Sequence, residues 1–168
     1  VLISHLPLLA HDFEVDGIYY NIISSNNRVE VTYKGSLHDS DYNEYTGDIV
    51  IPRIVNFNGV TYSVKSVSDD AFNGCWDLTS IEIPNSVIKI GNSAFSGCTS
   101  LTSIIMGDSV TEIGDYAFRG CNSLSTIETA NSLTNIGYGA FSGCENLTNI
   151  VIGSGVKLIE DYAFSGCV

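Results

Sequence analysis

The segment Ile113-Gly-Asp-Tyr-Ala-Phe-Arg-Gly-Cys-Asn-Ser-Leu124 decides the fold, because its pattern returns every 23 residues. Alanine, phenylalanine, glycine and cysteine each recur five times in the same register. The sets are Ala71, Ala94, Ala117, Ala140 and Ala163; Phe72, Phe95, Phe118, Phe141 and Phe164; Gly74, Gly97, Gly120, Gly143 and Gly166; and Cys75, Cys98, Cys121, Cys144 and Cys167. A fixed period of this length is the signature of a solenoid built from stacked repeats.

Each of the first four cysteines is followed by a strand signature. A leucine lies three residues later, an isoleucine six later and a further position eight later, which gives the pattern L-x-x-I-x-I of leucine-rich repeats. The last position is apolar except at Thr129, where we expect one irregular rung. A 23-residue unit cannot bury its own apolar face, so its neighbours must share one core and one ladder of phenylalanine rings. The pattern predicts a mainly β solenoid with a parallel strand ladder and short helical turns.

The N-terminal part departs from the period. Residues 48–52 align with residues 80–84, but nine extra residues follow, and Asn58-Gly59 within them predicts a small protruding hairpin. Residues 17–23 and 28–33 are two strand-like runs, and we expect them to form an antiparallel cap over the first edge of the solenoid.

These patterns divide the chain into an N-terminal segment with its β-hairpin cap, residues 1–46, and a repeat region, residues 47–168. Residues 1–10 are apolar and end in a small residue, which fits either the remnant of a secretory signal or a segment that packs across the end of the domain. The repeat region stops at Val168 in the middle of a unit, so we expect further repeats or another domain in the natural protein.

The net charge of the chain limits the classes of partner that it can bind. Nineteen acidic residues against seven basic ones give a net charge of −12. Binding to nucleic acid or to an anionic membrane surface needs clustered lysine and arginine, so both roles are disfavoured. Apolar residues make up 44% of the chain and charged residues 15%, which fits a globular chain rather than a disordered or membrane-inserted one.

The segment quoted above resembles the BspA-like subclass of leucine-rich-repeat proteins, as does the run from Leu78 to Val87. The resemblance extends over about residues 47–168, and the opening at residues 12–20 is similar to the lead-in of gut-bacterial members. It implies a secreted or surface-attached bacterial protein, since members are often found in bacteria of mucosal surfaces. Some members are adhesins that bind host matrix or plasma proteins or other bacteria.

The residues that could carry chemistry favour no enzyme, cofactor or metal. Stacked cysteines point in parallel and suit a disulfide poorly, so we expect buried thiols. The three histidines, His5, His11 and His38, lie outside the repeats and are interpreted as solvated loop residues. Residues 38–44 offer alternating oxygen ligands for calcium, but they lack the glycine and terminal glutamate of EF-hand spacing, so a solvated loop is favoured.

The remaining candidates for function are residues on the surface of the solenoid. The outward positions of the predicted strands form a candidate binding face, because a repetitive solenoid face suits an extended partner. Its residues are Ser80, Glu82, Ser103, Ile105, Thr126, Glu128, Asn149 and Val151. Serine and threonine are also common on exposed strands that bind nothing. Tyr42, Tyr45 and Tyr62, expected to be exposed in the cap, form an alternative contact patch.

The sequence therefore favours a non-enzymatic module that binds a protein or glycan of a host or bacterial surface, with adhesion as its role. The alternative hypothesis is a purely structural repeat spacer that holds another domain away from the cell surface.

Overall fold

The structure is a computed structural model and describes residues 11–34 and 45–168. Fourteen strands are found in these residues, and no helix is found there. The strands are β1 Phe13–Val15, β2 Ile18–Ser24, β3 Arg28–Thr32, β4 Gly47–Val50, β5 Ile54–Phe57, β6 Val60–Val67, β7 Leu78–Ile83, β8 Lys89–Ile90, β9 Ser103–Met106, β10 Glu112–Ile113, β11 Thr126–Glu128, β12 Asn135–Ile136, β13 Asn149–Val151 and β14 Leu158–Ile159.

Two sides of the stack are parallel ladders. The L-x-x-I-x-I strands form one side, with β4, β7 and β9 in one sheet and β11 and β13 in a second. The short strands of the second apolar pair form the other side, in the order β6, β8, β10, β12 and β14. Equivalent residues of successive repeats pair directly, as Ile81 does with Ile104 and Ile90 does with Ile113. The parallel solenoid predicted from the period is confirmed.

The third side, which we call the turn wall, consists of the Ala-Phe-x-Gly-Cys turns at residues 71–75, 94–98, 117–121, 140–144 and 163–167. Each is a turn rather than a short helix, closed by i to i−3 bonds such as Cys75 N to Phe72 O at 3.1 Å. The glycine before each cysteine has φ between 69° and 78°, the left-handed region that glycine occupies without strain. That conformation ends each turn.

Phenylalanine rings form the centre of the stack. Successive rings from Phe72 to Phe164 lie 4.8–5.3 Å apart and within 9° of parallel. Their backbones are joined as well, because the N–H of each phenylalanine from Phe72 to Phe141 donates to the alanine carbonyl of the next repeat at 2.7 Å, as from Phe72 to Ala94. The predicted ladder is confirmed, and the inter-repeat bonds hold its spacing.

The cap continues the second ladder. Strands β1, β2 and β3 form an antiparallel meander, and β3 then pairs in parallel with β6. The antiparallel cap is confirmed. The hairpin of β5 and β6 is also present, with Asn58 and Gly59 both at positive φ as a tight hairpin turn requires. It does not protrude, because Phe57 and Tyr62 turn inward and pack on Phe13 at 4.5 and 5.2 Å.

Residues 1–10 lie outside the described part of the chain, and the two interpretations of them stay predictions, as does the division at residue 46. His5, His38, Tyr42 and the loop of residues 38–44, interpreted as a solvated loop, lie outside it as well. Within residues 11–34 and 45–168, no helix has the length and apolar character needed to cross a membrane.

Candidate functional site

The eight residues predicted for the binding face lie on one surface, which we call the strand face. Ser80 pairs with Ser103 and Glu82 with Ile105, one rung apart. Two rungs further on, the same register is repeated when Thr126 pairs with Asn149 and Glu128 with Val151. All eight side chains are exposed except that of Ser80, which is half-buried. Their placement agrees with the alternation of the strand pattern, in which the residues between them point into the core.

The strand face carries a column in which acidic and aliphatic side chains alternate. Glu82 and Glu128 are separated by Ile105, and Val151 follows Glu128. Ile105 is 59% exposed and Val151 is 49% exposed. These two side chains are exposed to solvent, whereas the inward residues of the same strands, such as Ile104 and Ile150, pack against the core.

The first rung of this surface is β4, which the predicted set omitted. Val50 pairs with Glu82 and is 61% exposed, so it begins the column. Asp48 pairs with Ser80, and its carboxylate accepts hydrogen bonds from Ser80 Oγ at 2.6 Å and Thr79 Oγ1 at 2.7 Å. These two bonds lower the pKa of Asp48. The alignment of residues 48–52 with residues 80–84 was the signal that could have found both residues.

The ladder is interrupted between β9 and β11, which lie side by side in separate sheets. Thr129 is buried at the end of β11, and its Oγ1 accepts a hydrogen bond from Gly153 N at 2.9 Å. A polar side chain buried at an inward position needs such a partner. The irregular rung predicted at Thr129 is confirmed. The hydrogen-bonded ladder is divided between β9 and β11, but the outward residues on both sides of this division belong to the same face.

A shallow depression of 480 Å³ lies at the end of the strands next to Glu82 and Ile105. Its wall includes Arg53 from the hairpin and Asp108 from the following turn. The Asp108 N–H donates to Asn85 Oδ1 at 2.8 Å, which fixes this rim. The depression therefore places one basic and two acidic side chains beside an exposed aliphatic one.

The cysteines take part in packing and hydrogen bonding inside the stack. All five are reduced thiols, and only Cys167 is more than slightly exposed. Each thiol from the second repeat onward donates to a phenylalanine carbonyl of the preceding repeat, as from Cys98 to Phe72 at 3.1 Å and from Cys121 to Phe95 at 3.2 Å. Burial raises the pKa of Cys98, which disfavours the thiolate that a nucleophile requires. Sequence reasoning predicted the buried thiols but missed this hydrogen bond.

The tyrosine patch predicted on the cap is wrong for the two members that the structure describes. Tyr45 is 2% exposed, and its hydroxyl donates to Thr32 O at 2.6 Å and accepts from Tyr19 N at 3.1 Å. Tyr62 is half-buried against Phe13. Both rings fill the cap because a sheet with few large aliphatic side chains needs aromatic area to close its core.

The histidine interpretation changes for His11, the only one of the three that the structure describes. Its ring lies 4.6 Å from that of Tyr19 and is half-buried, so it packs on the cap rather than standing in a solvated loop. Among residues 11–34 and 45–168, no group of three histidine, cysteine or carboxylate side chains could hold a metal ion.

A second surface feature, which the sequence interpretation missed, lies on the turn wall. Tyr116, Tyr138 and Tyr162 come from three successive repeats, and we call them the tyrosine row. The signal lies in the residues before each Ala-Phe pair. Tyrosine directly precedes Ala117 and Ala163, but it precedes Ala140 by two residues, so a search for identical positions does not align the three.

Parallel ladders on two sides, stacked turns on the third and a continuous phenylalanine core define a leucine-rich-repeat solenoid. A family model described as BspA type leucine rich repeat region matches residues 56–168 in six copies. The chain therefore belongs to the BspA-type leucine-rich-repeat family, as the resemblance in its sequence implied. No curated protein sequence matches the chain.

Solved structures of bacterial leucine-rich-repeat proteins are similar to it. A leucine-rich-repeat protein of T. pallidum has 31% identity and a TM-score of 0.77 over 91% of this chain and 66% of that one. A leucine rich cell surface protein of Faecalibacterium prausnitzii has 26% identity and a TM-score of 0.66 over 96% and 47%. The pneumococcal vaccine antigen PcpA has 26% identity and a TM-score of 0.71 over 92% and 42%. This chain thus spans less than two thirds of the length of each.

Proposed function

We propose that the chain is a non-enzymatic binding module of a secreted or cell-surface bacterial protein, and that its strand face contacts a host or bacterial surface protein or glycan in adhesion. The observation that carries the proposal is the column of Val50, Glu82, Ile105, Glu128 and Val151. In this column an exposed aliphatic side chain recurs at every second rung with a glutamate between, and such a regular outward pattern on a solenoid suits an extended partner.

The chemistry of the column favours a particular kind of partner. Val50, Ile105 and Val151 offer apolar contact, and Glu82 and Glu128 between them offer negative charge. The net charge of −12 extends the same sign over the whole molecule. A partner with basic side chains alternating with apolar ones is complementary, and the long-range charge increases the rate at which it associates.

Two of the similar structures support a location at the cell surface by their descriptions, one as a cell surface protein and one as a vaccine antigen. The proposal of no enzymatic activity is supported by the buried, hydrogen-bonded thiols and by the packing of His11 on Tyr19. A rigid ladder is suited to binding, because its outward residues keep their relative positions before the partner arrives.

The experiment is a binding screen of the purified chain against host matrix and plasma proteins, mucins and bacterial surface glycans, by biolayer interferometry at physiological salt. For a ligand that binds, Glu82→Lys and Ile105→Asp should each weaken binding by roughly tenfold or more, as loss of a charge or apolar contact at an interface centre does. Glu112→Lys, on the wall of β10, is the matched control and should leave binding unchanged.

Circular dichroism must show that every variant is folded. Uniformly absent binding by the folded chain would contradict the proposal and favour the structural spacer. Binding that Glu112→Lys weakens as much as Glu82→Lys does would contradict the strand face as the site.

A further inference from the structure

The tyrosine row is an exposed aromatic surface with a regular spacing. The ring centroids of Tyr116 and Tyr138 lie 5.4 Å apart, and those of Tyr138 and Tyr162 also lie 5.4 Å apart. The first two rings are just over one third exposed, and that of Tyr162 is 64% exposed. The row follows the solenoid axis on the turn wall, whereas the strand face lies on the side of the L-x-x-I-x-I strands.

Backbone conformation argues that the tyrosines are not there for stability. Tyr116 has φ 56° and Tyr162 has φ 60°, both in the left-handed region. The same position holds Asp70 and Ser93 in earlier repeats, also at positive φ. The turn itself imposes this conformation, which glycine, asparagine and aspartate adopt more readily than a bulky aromatic residue does. Tyrosine at this position has a strained backbone conformation, and because the side chain is exposed, no large gain from burial offsets that strain.

The intermediate repeat is adapted to its neighbours. Gly139 occupies the equivalent position, and a Cβ atom there would lie 2.7 Å from Cε1 of Tyr116. Its missing side chain leaves room for the Tyr116 ring, while Tyr138, one position earlier, supplies the ring of this rung. Tyr138 is held by its backbone N–H, which donates to Asp115 Oδ1 at 2.9 Å. The row is thus continuous although its members do not share one repeat position.

Polar groups border the aromatic surface. The Arg119 guanidinium carbon lies 5.6 Å from the ring centroid of Tyr116, in a cation–π contact. Asp115 and Asp161 immediately precede Tyr116 and Tyr162, and both are exposed. The wall therefore combines aromatic faces, which attract apolar C–H groups, with carboxylates and a guanidinium, which bind pairs of hydroxyl groups through hydrogen bonds.

We propose that the tyrosine row is a binding site for a single chain of a neutral glycan, in which successive sugar rings contact successive tyrosines. A pyranose ring presents a face of C–H groups with hydroxyls at its edge, which matches both parts of this wall. The ring-to-ring spacing is comparable with the advance of one sugar unit along such a chain.

Two observations narrow the glycan. The net charge of −12 disfavours glycans that carry carboxylate or sulfate groups. The rings are inclined to each other by 73° and 57°, so they present no common plane to a flat crystalline surface. A soluble chain whose sugar units turn relative to each other fits these inclinations. The inference concerns a different wall from the strand face and does not depend on that site being active.

The experiment is affinity electrophoresis of the whole chain in native gels that contain laminarin, mannan, hydroxyethyl cellulose or hyaluronan. We expect at least one of the three neutral polysaccharides to retard the protein, and hyaluronan not to. Tyr138→Ala and Tyr162→Ala should each weaken the interaction by roughly three- to tenfold, the effect of one aromatic contact. Tyr162→Phe keeps the ring and should retain most of the affinity.

Ile88→Ala is the matched control, because this exposed side chain directly precedes β8 and belongs to neither surface, and it should leave the retardation unchanged. No retardation by any neutral polysaccharide would overturn the inference, as would retardation that the folded Tyr138→Ala/Tyr162→Ala double variant retains in full. If the tyrosine variants lose binding only to a protein found in the screen above, the row is a protein site and the inference is wrong. Loss of binding in Glu82→Lys but not in the tyrosine variants would leave the strand face supported and this site refuted.

Discussion

The cap and the repeat stack bury aromatic rings in two different ways. In the stack, Phe72, Phe95 and Phe118 repeat one contact, with rings within 9° of parallel at about the same distance. In the cap, Phe13 alone meets three different rings, and its angle to them ranges from 7° to 39°. The stack uses one packing arrangement many times, whereas the cap fits each side chain individually. A change in the stack is therefore transmitted along a ladder, and a change in the cap stays local.

Tyr45 joins the two regions. Its ring lies 4.4 Å from that of Phe72 and 5.9 Å from that of Tyr19, so it extends the aromatic ladder into the cap. Its hydroxyl is bonded within the cap, to Thr32 O and Tyr19 N. A phenylalanine would continue the ladder equally well but would not tie it to β2 and β3. Tyr45 is therefore the residue at which the ladder of phenylalanine rings meets the cap.

The largest effect should come from the middle of the stack. Phe118→Ala removes a fully buried ring with a neighbour on each side, and we expect a loss of about 3–5 kcal/mol in the free energy of unfolding. Phe164→Ala removes a half-buried ring with one such neighbour and should cost clearly less. Urea denaturation followed by circular dichroism measures both. Equal losses would contradict the ladder as the source of stability.

The next effect should separate the cap from the stack. Tyr45→Phe keeps the ring but leaves Thr32 O and Tyr19 N without the buried hydroxyl, which should cost about 1–3 kcal/mol. Hydrogen exchange should then accelerate in β2 and β3 and stay nearly unchanged in the turns around Phe118. Uniform acceleration over the whole chain would show that cap and stack unfold as one unit.

The same contrast explains what the sequence could reveal. In the stack, the neighbour in space is the residue 23 positions away, so the ladders of Phe95 and Cys98 are visible as a period. In the cap, Tyr45 bonds to Thr32, 13 residues away, and to Tyr19, 26 residues away, with no recurring interval. The pattern therefore predicted the core of the repeats correctly and misjudged Tyr45 and Tyr62, whose burial depends on contacts that occur once.

Surface features follow the same rule. The outward residues of the strand face could be predicted because side chains alternate along a strand, and Glu82 or Ile105 needs only a correct strand assignment. The tyrosine row could not be found by position, since Tyr138 is displaced by one residue from the register of Tyr116. Only the backbone shows that Gly139 leaves space for the neighbouring ring.

The buried thiols should make the stack sensitive to alkali. Burial raises the pKa of Cys98, and the neighbouring Cys144 thiol together with burial raises that of Cys121, both above the ordinary value of 9.0, whereas the pKa of Cys144 is lowered by the same interaction. Above that pH an unfolded chain loses thiol protons that the folded chain retains. The stabilisation is therefore complete below pH 9 and is lost as the pH rises, by up to about 1.4 kcal/mol per pH unit for each thiol.

The measurement is the free energy of unfolding between pH 7 and pH 11 for the native chain and for Cys98→Ser/Cys121→Ser. Serine does not ionise in this range and keeps a donor for the carbonyls of Phe72 and Phe95. The variant should show a shallower decline above pH 9. Tyr20, whose pKa burial also raises, should leave part of the slope in place. Identical slopes would show that the thiols contribute nothing to the alkaline loss.

The smallest effect should come from the outer side of the stack. Lys89 Nζ lies 2.9 Å from Glu112 Oε1, but both side chains are nearly half exposed, so solvent screens the pair. We expect a coupling of about 0.2–1 kcal/mol from a double-mutant cycle of Lys89→Ala and Glu112→Ala, decreasing with added salt. A larger, salt-independent coupling would contradict this. If exterior pairs contribute so little while Phe118 contributes several kcal/mol, the stability of the fold constrains the residues inside each repeat and places little constraint on the exposed ones. The residues of the strand face and the tyrosine row can then change with the partner without cost to the fold.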